Sequence, residues 1–422
     1  MKVEIRRDGP SLLDGYRAVV GDGPIRVLES LARKLHGRRM VMVNSTATGG
    51  GVAEILHRLV RLLEELGVPT SWEVMPGEPR FYGITKTIHN TLHGAPGALT
   101  ADDHAHYHEI NRRAAAALDL DGDLILIHDP QPAAFILHRR EAGQRWVWRC
   151  HIDISHANPD VWGFLEPIVA RYDAAVFSHY SFVPPLPLPT FLVPPSIDPL
   201  SDKNRDLGEQ QMDELLEPFD LPSTIPWITQ ISRFDRLKDP VGVVQAFRLA
   251  RARVKGQLIL AGGSADDDPE GAEVLAEVQQ HVGSAKDVSL LVLPPDAHLV
   301  INALQRRSAV VVQKSLREGF ALTVSEALWK RRAVIASAVG GIPLQVLHER
   351  TGLLVQSIEG CALQIIRVLR SPSMAKRLGV HGREHVRDNF LHPREARDYL
   401  AVFAALDQAV RMTEQGAWAG ST

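Results

Sequence analysis

The stretch Ala309-Val-Val-Val312-Gln-Lys-Ser-Leu-Arg-Glu318-Gly319-Phe320-Ala321-Leu322-Thr323-Val-Ser-Glu326-Ala-Leu-Trp-Lys330 carries the decisive pattern. Four consecutive small apolar residues suit a strand covered on both faces, which is how strands of a parallel sheet read. A polar loop follows, and then a helical pattern from Val324 to Trp329. Strand, loop and helix in that order make one arm of a doubly wound α/β sheet, with the loop at the strand's carboxyl end, where such sheets bind ligands.

The same arrangement recurs along the chain. Short apolar runs lie at Met40–Val43, Leu124–Ile127, Trp146–Trp148 and Ala174–Phe177, then at Trp227–Ile231, Leu258–Ala261, Ser289–Leu293 and Ala333–Ala336. Between them lie helical periods. Val52, Ile55, Leu56, Leu59, Val60, Leu63 and Leu66 share one stripe, and Gly67 is placed to end it. Pro184-Pro-Leu-Pro-Leu-Pro189, Pro194-Pro195 and the polar segment 201–209 break the alternation and predict a linker. A chain of 422 residues exceeds one ordinary core. The expectation is α/β: two doubly wound, Rossmann-like domains over 1–200 and 205–390, facing each other across a cleft. An amphipathic helix over 394–415 is expected to return to the first domain.

Composition narrows the function. A net charge of −3, with 45% hydrophobic and 23% charged residues, offers no general attraction to nucleic acid or anionic membrane. No run reaches the length of a membrane span, and the first residues lack the apolar core of a signal peptide. Cys150 and Cys361, the two cysteines, suggest neither a disulfide framework nor a zinc site. A cytoplasmic location follows as an expectation. Any anionic ligand must be held by a local cluster of donors.

Four segments at strand ends supply candidates. Asn44-Ser-Thr-Ala-Thr-Gly49-Gly50-Gly51 lets backbone approach a ligand just before a helix start, or is simply a tight turn. It matches neither the phosphate loop nor the dinucleotide fingerprint. Ser232-Arg233-Phe-Asp-Arg236-Leu-Lys238-Asp-Pro240 places two cations within reach of a phosphate, with Arg236 read as a solvated turn charge. In the opening stretch Glu318 sits in the loop, and the N–H groups of the helix start face a diphosphate or hydroxyls. Thr323 and Glu326 there also fit a capping box, which would leave Glu318-Gly319 unexplained. Finally His128-Asp129-Pro130 and Arg149-Cys-His151-Ile-Asp153 pair histidines with carboxylates at strand ends. They suit sugar or acid–base contacts, although among 18 histidines most are structural. No metal-ligand spacing accompanies them.

Taken in order, these segments resemble the retaining nucleotide-sugar glycosyltransferases of family four, with the GT-B fold. The Glu-x7-Glu pair (Glu318, Glu326), the Ser-Arg-Phe…Lys segment and the Gly-rich loop carry the resemblance. NSTATGGGVAEILHRLV, HDPQPAA, WRCHIDIS, PPSIDPLSDKN and QKSLREGFALTVSEALWK look closer still to trehalose glycosyltransferring synthase, with the trehalose phosphorylases as near relatives. The likeness spans about residues 40–395.

It implies transfer of glucose from a nucleoside diphosphate glucose to free glucose, reversibly, giving α,α-trehalose. Arg233 and Lys238 would hold the diphosphate, and Glu318 the donor-sugar hydroxyls, with Gly319, Phe320, Ala321 and Leu322 assisting. Glu326 would hold the ribose, and His151 would lie beside the donor sugar. Gly49, Gly50 and Gly51 would close over the reaction centre, while Asp129, Asp153, Lys86 and Asn90 are acceptor-pocket candidates. No tightly bound cofactor and no divalent metal is implied. Partners are small sugars, not nucleic acid or membrane, and a homodimer is compatible. A trehalose phosphorylase, a family-four transferase with another acceptor and a non-catalytic sugar-nucleotide sensor are the alternatives. Two positions depart from the pattern: Asp235-Arg-Leu-Lys-Asp239 replaces a Pro-Trp-Lys-Gly type, and Lys330-Arg-Arg-Ala333 replaces Lys-Gly-x-Pro.

Overall fold

The computed structural model describes residues 1–5, 9–48, 51–139, 143–263 and 269–419. Contacts divide the chain into two units: Met1–Pro195 together with the chain from His392 onward, and Ser196–Leu391.

The first unit holds six strands: β1 Met40–Asn44, β2 Thr70–Val74, β3 Leu124–His128, β4 Arg145–Arg149, β5 Ala174–Phe177 and β6 Thr190–Leu192. They pair in the order β2-β1-β3-β4-β5-β6, every pair parallel. The second unit holds β7 Trp227–Ile231, β8 Gln257–Gly263, β9 Val288–Leu293, β10 Val310–Gln313, β11 Ala333–Ser337 and β12 Leu353–Val355. Their order is β12-β11-β10-β7-β8-β9, again wholly parallel. Each half is a Rossmann-like sheet wrapped by helices.

All nine apolar runs form strands, and three further strands appear. β2, β6 and β12 are sheet edges: β2 carries Thr, Ser and Glu among its five residues, while β6 and β12 have three residues each. An edge strand needs no continuous apolar run, so its sequence signal is weak. The division between the units, at Pro195/Ser196, falls within the stretch 184–209 read as a linker, and only its first part is structured as sheet. Its proline-rich start leads into β6, where a missing N–H is tolerated at a sheet edge.

Why the strands bury is visible in β4. Trp146 and Trp148 point to one face, fully buried against Tyr172 and Phe177 respectively. Their indole N–H groups donate to Gln144 Oε1 and to the Asp129 carbonyl, both at 3.0 Å. Satisfied indoles let each ring contribute its apolar area, worth about 1.5–3 kcal/mol or more apiece, without an orphan donor. Helix His392–Ala419 packs against helix Asp22–Lys34 and against β4. Arg38 holds it by bonding both Asp123 (2.9 Å) and Asp407 (2.6 Å). Helix Gly51–Glu65 buries Ile55, Leu56, Leu59, Val60 and Leu63, and Gly67 follows it at φ +79°.

In each sheet the strand order reverses once. From β1 the chain moves outward to β2, then returns to β3 on the other side of β1; from β7 it moves to β8 and β9, then returns to β10. Adjacent crossovers there leave the sheet on opposite faces, opening a crevice beyond the carboxyl ends of β1/β3 and of β7/β10. Cys150 and Cys361 are both buried and unlinked. No helix among the described residues is long and apolar enough to cross a membrane.

Candidate active site

In the second unit the reversal point gathers the two strongest sequence motifs. Lys238 follows β7 and Glu318 follows β10, and the Lys238 ammonium donates to Glu318 Oε2 at 2.6 Å. Ser315 Oγ donates to the same oxygen at 3.2 Å and receives a bond from Gln313 Nε2 at 2.9 Å. The two loops are stitched together by backbone and charge. Leu316 N–H donates to the Leu237 carbonyl (2.7 Å), Gln230 Nε2 to the Lys238 carbonyl (2.8 Å), and Lys314 pairs with Asp239. Asp239 adopts a left-handed conformation (φ 48°) and caps helix Pro240–Arg251 by accepting from Gly242 N–H at 3.0 Å.

Glu318 is 9% exposed, and a lysine and a hydroxyl partner its carboxylate. Oε1 takes part in none of these bonds and is available to accept from a ligand hydroxyl. The ammonium has three donors, of which Glu318 uses one. Arg233 is solvent-exposed, and Asp235 lies 3.6 Å from its guanidinium. Arg236 pairs with Glu277 at 2.8 Å on the surface.

Gly340 and Gly341, which follow β11, press on the Glu318 loop from behind. A Cβ on Gly340 would meet the Glu318 carbonyl oxygen at 1.6 Å, and one on Gly341 would meet that of Gly319 at 2.8 Å. Gly340 also has φ +54°. Sequence reasoning passed over this pair and over Lys314, Ser315 and Gln230. The Gly-Gly after an apolar run was the available signal for the first, while nothing in one sequence marks the other three.

The capping box is not formed. The helix spans Leu322–Trp329, starting two residues before Val324, and its N-cap is Ala321 in a left-handed conformation (φ 68°) without a side-chain bond. Thr323 therefore lies inside the first turn, too late to cap. Glu326 is 4% exposed, with Lys203 Nζ at 3.8 Å. Lys330 Nζ donates to the Glu326 carbonyl (3.2 Å) and to Asn204 Oδ1 (2.8 Å), and burial lowers its affinity for the proton. Glu326 thus sits beside cations rather than at a cap. Helix-start N–H groups near Leu322 accordingly lack a side-chain acceptor from the cap residue.

In the first unit the loops after β1, β3 and β4 carry the candidates. Asp129 is held at φ 66°; its N–H donates to the Arg149 carbonyl (2.7 Å), and its Oδ1 accepts from His151 N–H at 2.8 Å. Burial raises Asp129 to about 6, opposed by the His151 N–H bond and by the Arg149 charge. His128 Nδ1 lies 3.0 Å from His151 Nε2, with the rings nearly parallel. Burial, and then the Arg149 charge, push His128 down to about 3 and hold His151 well below the ordinary range. Both rings are neutral at pH 7.

Asp153 turns on its own loop, accepting from Ser155 N–H (3.0 Å) and Ser155 Oγ (2.6 Å). Lys86 and Asn90 lie one turn apart on the exposed side of helix Pro79–Leu92. In the loop after β1, Asn44 Nδ2 donates to the Thr46 carbonyl (2.7 Å) and Thr46 Oγ1 to the Thr48 carbonyl (2.6 Å). Gly51 opens the next helix; Gly49 and Gly50 fall outside the described residues. Among the described residues no cluster of three His, Cys, Asp or Glu is arranged to hold a metal.

Each parallel sheet thus carries polar clusters at the carboxyl ends of its strands, the cluster of the second unit built on a Lys–Glu pair. Residues 42–184 match the family described as "Trehalose synthase, N-terminal domain", and residues 211–385 match "Glycosyl transferases group 1". A trehalose synthase of Rubrobacter xylanophilus is 42% identical over 407 residues, covering 94% of this chain and 98% of that one. A trehalose synthase of Pyrococcus horikoshii is 40% identical over 404 residues, covering 94% and 97%.

The chain belongs to the trehalose synthase family.

It is a glycosyltransferase enzyme of trehalose metabolism, with the GT-B fold. A trehalose phosphorylase of Pleurotus pulmonarius is more distant, 27% identical and matched over 62% of its length. Among solved structures, a UDP-forming α,α-trehalose-phosphate synthase from Burkholderia xenovorans superposes with a TM-score of 0.69 at 17% identity. The match covers 87% of this chain and all of that one. That likeness bears on the fold alone.

Proposed function

We propose that the enzyme transfers glucose from a nucleoside diphosphate glucose to the anomeric hydroxyl of free glucose, with retention, giving α,α-trehalose. The observation that carries this reading is the Lys238–Glu318 pair at the β7/β10 reversal. It sets a cation with spare donors beside a carboxylate with a spare oxygen. A sugar diphosphate asks for both at once: the cation for the diphosphate, the carboxylate for the sugar hydroxyls.

In the proposed reaction the bond between the glucosyl C1 and the diphosphate oxygen breaks, and its electron pair stays on the diphosphate. The acceptor hydroxyl attacks C1 from the same face, and its proton passes to the departing diphosphate oxygen. Lys238 and the exposed Arg233 stabilise charge that grows on the diphosphate as the bond lengthens, so they favour the transition state over the ground state. N–H groups of Gly319 to Leu322 assist at the donor, and Glu326 takes the ribose. In the first unit His151 contacts the donor sugar, and Gly49 to Gly51 close over the centre. Asp129, Asp153, Lys86 and Asn90 serve the acceptor. A cytoplasmic setting fits these soluble substrates.

Breakdown of trehalose separates this reading from phosphorolysis. Given trehalose and a nucleoside diphosphate, the enzyme is expected to form a nucleoside diphosphate glucose and glucose. Formation of glucose 1-phosphate with inorganic phosphate, and no turnover with any nucleoside diphosphate, would assign it to the phosphorylase reaction instead.

A further inference from the structure

Arg149 ends β4 on the face opposite the two tryptophans, with no exposed surface at all. Nη2 donates to Ser178 Oγ at 3.0 Å, while Nε and Nη1 have no partner among the described residues. A buried guanidinium with two orphan donor sites is expensive, and such groups persist in native proteins when something local uses them. Its charge acts on both neighbouring imidazoles, His128 and His151.

The imidazole pair constrains where its protons sit. One hydrogen bond joins His128 Nδ1 and His151 Nε2, so one of these two nitrogens carries a proton and the other does not. His128 Nε2 is buried and has no acceptor near it. An N–H stranded there would be a buried orphan donor in the field of Arg149, the register partner of His128 across β3 and β4, whereas a bare lone pair is favoured by that charge. The proton of a neutral His128 therefore belongs on Nδ1, from which it donates to His151 Nε2. A neutral His151 must then carry its own proton on Nδ1. None of the described hydrogen bonds uses that nitrogen.

We propose that Arg149 and His128 form a relay that fixes His151 as a neutral imidazole protonated on Nδ1, a directed hydrogen-bond donor to an oxygen of the bound sugar. Arg149 and His128 are positioning residues in this scheme, since neither touches substrate. The His151 backbone N–H bonded to Asp129 Oδ1 holds the loop, and the bond from His128 to Nε2 holds the ring. A fixed donor differs from a free histidine in selectivity. It accepts only an oxygen with a lone pair at that place, and it does not become a cation near the developing oxocarbenium charge. The tautomer assignment stands on the hydrogen-bond geometry, the burial and the nearby Arg149 charge; its use on the transferred sugar rests on the reading under Proposed function.

Nitrogen-15 spectra of the imidazoles in the whole enzyme, assigned through His128→Gln and His151→Gln, test the relay. The expected pattern is an Nδ1–H and a bare Nε2 on both rings at neutral pH. In Arg149→Met, His128 should populate the Nε2–H form, and the His151 pattern should shift with it. Turnover (kcat) should fall about tenfold, the worth of one neutral hydrogen bond, with KM for glucose unchanged. Arg149→Lys should restore part of both. A proton on His151 Nε2 in the unaltered enzyme, a doubly protonated ring, or an unchanged pattern in a folded Arg149→Met would overturn the relay. Should Arg149→Met not fold, the spectrum of the unaltered enzyme decides alone. The expected tautomers in an enzyme that transfers no glucose would leave the relay standing and remove the proposed reaction.

Discussion

Two strand-end clusters, one in each unit, handle polarity in opposite ways. At β7/β10 the groups are charged and paired: Lys238 with Glu318, Lys314 with Asp239. At β3/β4 burial keeps two imidazoles neutral, lifts an aspartate to about 6, and leaves donors of Arg149 without a partner among the described residues. A charged, satisfied site suits a highly charged ligand, because it can exchange one ionic partner for another without exposing a bare charge. A neutral, directional site suits hydroxyls, where geometry decides more than net charge. In the reaction proposed above, the contrast matches a diphosphate at one unit and sugar oxygens at the other.

The largest effect is expected where backbone, not charge, sets the charged site. Gly340→Ala places a methyl group on the Glu318 carbonyl in a left-handed conformation, which should destabilise the second unit by about 3 kcal/mol or more and abolish transfer. Hydrogen exchange should show the loss in β10 and β11, with β1 and β3 still protected. A tolerated alanine would mean that the Glu318 loop is not held from behind.

Next comes the pair itself. Lys238→Ala should lower kcat by ~10²-fold or more and leave acceptor KM nearly unchanged. Arg233→Ala should act in the same direction. Near-normal turnover in both would detach this site from the diphosphate.

The neutral site gives a pH signature. His128 is depressed from 6.5 to about 3, so the unfolded chain binds a proton that the fold excludes, and stability falls as pH drops from 6.5 toward 3. His151 contributes with the same sign. Asp129, raised from 3.8 to about 6, works the other way, losing stability as pH rises through that window. His128→Gln should therefore flatten the acid side of the stability profile by about 1.4 kcal/mol per pH unit, one proton's worth. Urea titrations at several pH values would measure it, and an unchanged slope would show that the buried imidazole is not excluded from titration. The smallest effect belongs to Arg236, whose exposed pair with Glu277 predicts that Arg236→Ala changes stability by less than about 0.5 kcal/mol and leaves kcat alone. A loss of tenfold would place Arg236 with Arg233 and Lys238.

The sequence exposed the interior of each sheet and one margin, β9, and hid the other three. Central strands such as Leu124–His128 and Val310–Gln313 are apolar because helices cover both faces; edge strands β2, β6 and β12 escape that requirement and leave no comparable run. Glu318 and Lys238 stood out as charges after apolar runs, but their mutual contact depends on β7 and β10 being neighbours, which no local pattern encodes. Thr323 and Glu326 show the opposite failure. Their spacing fits a cap, yet Ala321 starts the helix early and Glu326 turns to Lys203. Arg149 was visible only as a residue next to a histidine. Its meaning comes from burial.

The most direct test of the account is to incubate the enzyme with free glucose and a panel of nucleoside diphosphate glucoses, and to identify the product by its anomeric proton resonances. The account predicts α,α-trehalose with one nucleoside diphosphate released per disaccharide. No disaccharide from any donor, or a product carrying a β-linkage, would contradict it.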